Sequence, residues 1–135
     1  MHIQFNLFFM TRYILLWFPM LFIAIMNGML REFVFRKYMG DLTAHQLSTV
    51  SLIIFFAVYI GILMKRIPPA SSEKALLIGI LWMLMTLAFE FGFGAYRGNS
   101  WSKMIGDYNI YKGHIWILIP VWVTIAPYIF YKLFQ

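Results

Sequence analysis

Four stretches of the chain contain no Asp, Glu, Lys or Arg and are strongly apolar: Tyr13 to Leu30, Gln46 to Met64, Ala75 to Phe89 and Ile115 to Tyr131. About 20 helical residues cross a hydrocarbon core roughly 30 Å thick, so the first, second and fourth stretches approach a full span. The third reaches that length only by running through Glu90 to Tyr96, which sets Glu90 near a boundary rather than at mid-depth. With 135 residues the chain is one domain by length, yet 62% of it is hydrophobic and only 12% charged. Soluble domains hold about 45–50% and about 25% respectively, and a fold of this size cannot bury so much apolar surface in water. The stretches are about twice the length of barrel strands, and lipid offers backbone amides no partner outside their own helix. The expected fold is therefore all-α and integral to a membrane. One domain, 1–135, would carry four transmembrane helices in an up-down bundle, at about 11–31, 44–64, 72–94 and 114–132.

Local signals punctuate these helices. Pro19 predicts a kink in helix one. Thr43 and Gln46 fit a capping box at the start of helix two, which Lys65 and Arg66 close. Pro68-Pro69 and Ser71-Ser72-Glu73 mark a short break, then a helix start with an acid suited to the dipole. Gly79, Thr86 and Glu90 fall on one stripe of helix three, the side expected to face other helices. Pro120 and Pro127 predict a bent helix four, with the Thr124 hydroxyl available to freed backbone groups. Trp17, Trp101, Tyr108, Tyr111, Trp116, Tyr128 and Tyr131 cluster towards span ends and read as interfacial belts. Lys37 to Asp41 (KYMGD) is echoed by Lys103 to Asp107 (KMIGD), which suits either two repeated hairpins or a shared Gly-Asp turn; the turn is the simpler reading.

Charge excludes some classes and orients the rest. The net charge is +6, but it is confined to short loops and helix ends, so headgroup contact explains it and nucleic-acid binding is not expected. An even helix count puts Arg12, Lys65, Arg66, Lys74 and Lys132 on one side and Arg31, Arg36, Lys37, Arg97, Lys103 and Lys112 on the other. Five against six does not decide orientation. The short basic loop from Lys65 to Lys74 favours cytoplasmic termini. The first residues, MHIQFNLFFMTR, lack the basic start and cleavage site of a signal peptide and are expected to be retained. There is no cysteine, hence no disulfide and no thiolate ligand.

On this topology the polar residues gather at one face. Asn27, Arg31 and Glu32 end helix one; His45, Gln46, Ser48 and Thr49 begin helix two; Glu90 and Arg97 end helix three; His114 begins helix four. Such a cluster has several readings. It can be an ion-pair network in which Arg31 or Arg97 holds Glu90, since buried charges are usually paired. It can be a pocket in which the arginines receive a lipid headgroup or small anion. Glu90 can also be the titrating carrier of a small proton- or ion-coupled transporter. A b-type haem or metal centre would need His45 and His114 at similar depth, on helices two and four lying diagonally across the bundle. No Glu-x-x-His pair supports a di-iron site, and no cofactor is implied. Gly92, Gly94 and Gly98 miss the dinucleotide spacing, and no phosphate loop, nucleophile elbow or zinc-protease motif occurs. Nothing in the sequence speaks for catalysis, so the leading reading is a binding protein. Its partners would be membrane lipids, with a second copy or another membrane subunit as a further possibility.

Three segments, NGMLRE (Asn27 to Glu32), AHQLST (Ala44 to Thr49) and FEFGFGAYRGNSWSKMIGDYNIYKGHIW (Phe89 to Trp116), resemble a group of small four-helix bacterial inner-membrane proteins with no assigned activity. The resemblance covers most of the chain. It implies a bacterial inner-membrane location and a site built around Asn27, Arg31, Glu32, Gln46, Glu90, Trp101, Asp107, Tyr108 and Asn109. An arginine often stands at the place of His114 in that group, which weighs against a paired-histidine haem.

Overall fold

The computed structural model describes the backbone of residues 2–106 and 115–134, with side chains from residue 9 onward. Every regular element among them is helical. α1 (His2–Leu30) contains Pro19 and passes directly into a π turn, Arg31–Phe35, and the short α2 (Arg36–Tyr38). α3 (Asp41–Arg66), α4 (Ser72–Tyr96), α5 (Trp101–Gly106) and α6 (Leu118–Leu133) follow. Three helical segments, Phe9–Tyr38, Asp41–Arg66 and Ser72–Tyr96, are long and apolar enough to cross a membrane; α6 is a shorter apolar helix.

Helix ends depart from the sequence reading. The first helix, expected over about 11–31, begins at His2 and continues through the π turn and α2 to Tyr38. α3 starts earlier than expected: Gly40 is its N-cap without a side-chain bond, and Asp41 stands in the first turn. The Thr43/Gln46 capping box therefore does not form. Asp41 supplies the negative charge that the dipole favours there and also accepts from Arg36 Nε at 3.0 Å. α4 begins as expected, with Ser71 Oγ accepting from the Lys74 amide at 3.2 Å. It runs on to Tyr96 and closes in a Schellman motif, in which the Gly98 amide reaches Ala95 O and the Asn99 amide reaches Gly94 O, each at 3.0 Å. Gly98 has φ +83°, a left-handed conformation that glycine adopts without a Cβ penalty. α6 starts later, at Leu118, after a tight turn with Leu118 N to Ile115 O at 3.0 Å. Pro120 thus falls in the first turn, where its missing N–H costs no helical bond. Only Pro127 interrupts the interior of this helix of 16 residues, which spans about 24 Å. Thr124 Oγ1 donates to the Pro120 carbonyl at 2.7 Å, an ordinary i−4 bond, not to the Val123 carbonyl that Pro127 deprives of its amide.

α1 packs on α3 and α4, and so does α6. Side-chain donors fasten these pairs to helix carbonyls. Tyr59 Oη donates to Leu16 O at 2.6 Å and Asn27 Nδ2 to Ser48 O at 3.0 Å, so α1 and α3 run in opposite directions. Trp82 Nε1 donates to Tyr13 O at 2.8 Å and Trp17 Nε1 to Thr86 Oγ1 at 3.1 Å, so α1 and α4 run the same way. Trp122 Nε1 donates to Ile53 O at 3.2 Å and ties α6 to α3. α4 and α6 meet backbone to backbone at Gly79 and Thr124. The second and fourth long helices are thus neighbours, contrary to the diagonal placement that a paired-histidine site requires. The diagonal pairs are α1 with α6 and α3 with α4, because the bare backbone of Gly79 lets α6 settle against α4.

Burial inverts the pattern of a soluble protein. Asn27, Ser48, Thr49 and Thr86 are buried, while Phe18, Phe22, Ile54, Val58, Leu77 and Leu84 are exposed. Trp17 and Tyr131 also belong inside, not to an interfacial belt, whereas Trp101 and Tyr128 are exposed. The Trp17 indole finds a hydroxyl on α4. The two KxxGD segments differ in backbone where both are described. Met39 and Gly40 are extended at the helix break, whereas the matching Ile105 and Gly106 are helical within α5; Asp107 lies outside the described residues.

Candidate functional site

Asn27 is only 1% exposed and holds the end of α1 to α3, its Nδ2 donating to Ser48 O at 3.0 Å and to Ser48 Oγ at 2.8 Å. One turn later the helix widens, and the Arg36 amide reaches back five residues to Arg31 O. No residue in REFVF announces this π turn, a geometry that recurs at functional sites. It carries Arg31 and Glu32. Arg31 Nη1 lies 3.4 Å from Ser48 Oγ, Nε lies 3.4 Å from Glu32 Oε1, and the guanidinium sits 5.9 Å from the Trp116 ring centre. Glu32 also pairs with Arg36, which bonds Asp41 in turn, so the acid fastens the turn between α1 and α3.

Trp116 is the centre of the cluster. Its Nε1 donates to Glu90 Oε1 at 2.8 Å, and its ring stacks on His45 with centroids 5.2 Å apart and planes 23° from parallel. One indole thereby joins Arg31 from α1, His45 from α3 and Glu90 from α4. Glu90 meets an indole rather than either expected arginine: the ion pairs between described residues are Arg31–Glu32, Arg36–Glu32 and Arg36–Asp41. Arg97 is exposed and lies over the Phe93 ring at 5.7 Å. Reading Trp116 as a belt residue missed its role, and only its nearness to His114 in sequence could have hinted at it. A Trp116→Phe variant keeps a ring against His45 and Arg31 but lacks the N–H. A hydrogen bond to a charged group contributes about 1.5–3 kcal/mol, so a stability loss of about 2 kcal/mol is expected in thermal unfolding in mild detergent. An unchanged midpoint would show that the Glu90 bond contributes nothing.

The remaining sequence candidates separate. Gln46 is half-buried at the start of α3 and Trp101 is exposed on α5, where its ring packs against Phe91 at 5.4 Å; neither lines the cavity described below. Asp107, Tyr108, Asn109 and His114 lie outside the described residues. Among the described residues no group of three or more His, Cys, Asp or Glu is placed to hold a metal ion.

A cavity of about 480 Å³ lies between α1 and α4, beyond the Trp17–Thr86 bond, and is floored by Leu52 and Phe56 of α3 and Ile119 of α6. Its depth is apolar, with Met20, Leu21, Ala24 and Phe89 on the walls. At its other end stand Arg31, Glu32, His45, Glu90, Arg97 and Asn99. Exposed residues of α1 (Ile25, Met29), Phe93 of α4 and Arg97 just past its end border it, so its mouth opens between those two helices. No protein-family model, curated protein or solved structure matches the chain.

Proposed function

We propose that the chain is a four-helix, up-down membrane-spanning protein that binds an amphiphilic lipid without chemically changing it. The phosphate or carboxylate of the headgroup lies at Arg31, and hydrocarbon fills the cavity between α1 and α4. The membrane reading is supported by the exposed face. The most apolar window of Asp41–Arg66 has mean hydropathy 2.4 but only 44% of it is buried, so the rest needs an apolar medium. Bacterial inner membrane is the compartment that the sequence resemblance implies, with the basic loop at Lys65, Arg66 and Lys74 on the cytoplasmic side.

One observation carries the lipid reading: a single cavity joins an apolar depth to a guanidinium. A small free anion would leave the apolar part unfilled, whereas an amphiphile matches both halves. Arg31 is pre-oriented by Ser48 Oγ and the Trp116 face, which lowers the entropy lost when its planar fork grips two oxygens. Entry between α1 and α4 takes the ligand directly from the bilayer. Native mass spectrometry of protein extracted in mild detergent should retain a lipid mass. Losing a charge-assisted contact of about 1.5 kcal/mol or more should lower the fraction bound in Arg31→Ala about tenfold. Equal bound fractions in the wild type and Arg31→Ala would overturn the reading.

A further inference from the structure

We infer that the end of the bundle remote from the polar cluster, where α3 and α6 both finish, is a docking surface for a net-anionic phospholipid headgroup, held by Lys65, Arg66 and Lys132. The inference shares only the membrane setting with the proposed function and does not depend on the cavity. Trp122 meets Ile53, and Phe130 and Phe134 lie within van der Waals reach of Gly61, so α3 and α6 run in the same direction and end together. Lys65 and Arg66 stand in the last turn of α3 and Lys132 in that of α6, and all three are exposed.

None of the three forms an ion pair with a described residue: the pairs Arg31–Glu32, Arg36–Glu32 and Arg36–Asp41 all lie at the other end. Here the Lys65 ammonium lies over the Phe134 ring at 5.9 Å and the Lys132 ammonium over the Tyr128 ring at 5.8 Å. Such contacts lay the apolar stems along the rings and leave the N–H donors for another acceptor. The sequence holds no further acidic side chain for this end. Met1 to Phe8 contain no Asp or Glu, and Asp107 falls between α5 and α6, beside the polar cluster. Glu73 is the one acid here, and it stands in the first turn of α4, where the positive end of the helix favours it. The two helix C-termini supply about half a negative charge each, about one in all, against three full cations. A phosphate diester meets the excess with oxygens suited to charge-assisted bonds from Lys and Arg. The ammonium of a zwitterionic headgroup would instead add a like charge beside the cations, which discriminates against it. The connection from α3 to α4, residues 67–71, is short, so these cations stand at the ends of the apolar helices, the level of lipid headgroups.

The test uses the full chain in bilayer discs made of equal parts phosphatidylglycerol and phosphatidylethanolamine with identical acyl chains. Lipid retained after transfer to mild detergent is counted by native mass spectrometry. The glycerol lipid should be enriched over the ethanolamine lipid by about tenfold or more, since each basic residue near an anionic surface contributes about a factor of five, or about 1 kcal/mol. Arg66→Gln should therefore lower the ratio about fivefold. Lys65→Gln, Arg66→Gln and Lys132→Gln together should bring it close to one; thermal unfolding checks that this variant is folded, and the single variants decide where it is not. Lys103→Gln, which removes an exposed cation of α5 at the other end, should leave the ratio unchanged. Wild-type protein holding the two lipids equally, or favouring the ethanolamine lipid, would overturn the inference and leave the cavity reading intact. A ratio that survives in the folded triple variant would overturn it too, and if Arg31→Ala abolishes that ratio the selection belongs to the cavity. Retention of neither lipid by the wild type would remove both readings.

Discussion

Gly79→Ala is expected to lower the stability of the folded protein by about 3 kcal/mol, the upper end of the usual cost of overpacking. A Cβ at this position would sit 2.8 Å from the Thr124 carbonyl carbon and 3.1 Å from its Cα, and closer still to its carbonyl oxygen. These are backbone atoms, so no side-chain rotation relieves the clash and α4 and α6 must separate. In lipid, helices associate through close packing and interhelical bonds rather than a hydrophobic driving force, so separation is poorly compensated. The Glu90–Trp116 bond joins α4 to the turn leading into α6, so on the proposed lipid reading the variant should also retain less lipid. Gly92→Ala is the matched control. It lies on the same helix with nothing within 4 Å of the added Cβ, and replacing an exposed helical glycine should gain about 0.5–1 kcal/mol. Thermal unfolding in mild detergent separates the two variants, and equal midpoints for Gly79→Ala and wild type would refute the close backbone approach.

Trp82→Ala should cost about 4 kcal/mol, within the usual range for emptying a buried tryptophan site. Trp82 is fully buried and is among the largest side chains of the core. It touches Tyr13 twice, by ring contact at 6.3 Å and by its N–H to the Tyr13 carbonyl at 2.8 Å. Trp82→Phe keeps most of the volume and drops the bond, so a loss of about 1–2 kcal/mol is expected. If both variants unfold at the same midpoint, filling the core is not what Trp82 does. Together with Trp17–Thr86, this contact closes α1 on α4 at one end and so sets where the cavity between them begins. On the proposed lipid reading, Trp82→Ala should therefore reduce lipid retention while leaving Arg31 in place.

Some of this is legible in the sequence alone. The three longest helices follow from charge-free apolar runs whose length and backbone chemistry admit no other element. Ser71 reads correctly as a cap because a hydroxyl before Glu73 and an apolar run is a local device. Clustering of Asn27, Arg31, His45 and Glu90 follows from alternating helix directions alone, and all four come together at one end of the bundle. Where local signals compete, the sequence is ambiguous: Thr43 and Gln46 resemble a capping box, yet Gly40 and Asp41 start the helix.

Pairing of groups across helices was not legible. Which helices are neighbours turns on a backbone contact at Gly79, and a lone glycine in an apolar run does not say what approaches it. Whether Glu90 faces an arginine or an indole depends on helix rotation within a few ångströms, and the π turn at Arg31–Phe35 changes that rotation without any mark in the residues. Trp17, Trp116 and Tyr131 could each be assigned to a membrane boundary by position, and only packing shows Trp17 and Tyr131 buried and Trp116 at the centre of the polar cluster. Composition and spacing act through the solvent, which sees every residue of a segment at once, and so they set the class of fold and the number and length of its long helices. The joined cavity, with apolar depth and charged groups at one end, arises from contacts between residues up to 85 positions apart, as with Arg31 and Trp116, and such contacts exist only once the helices are packed.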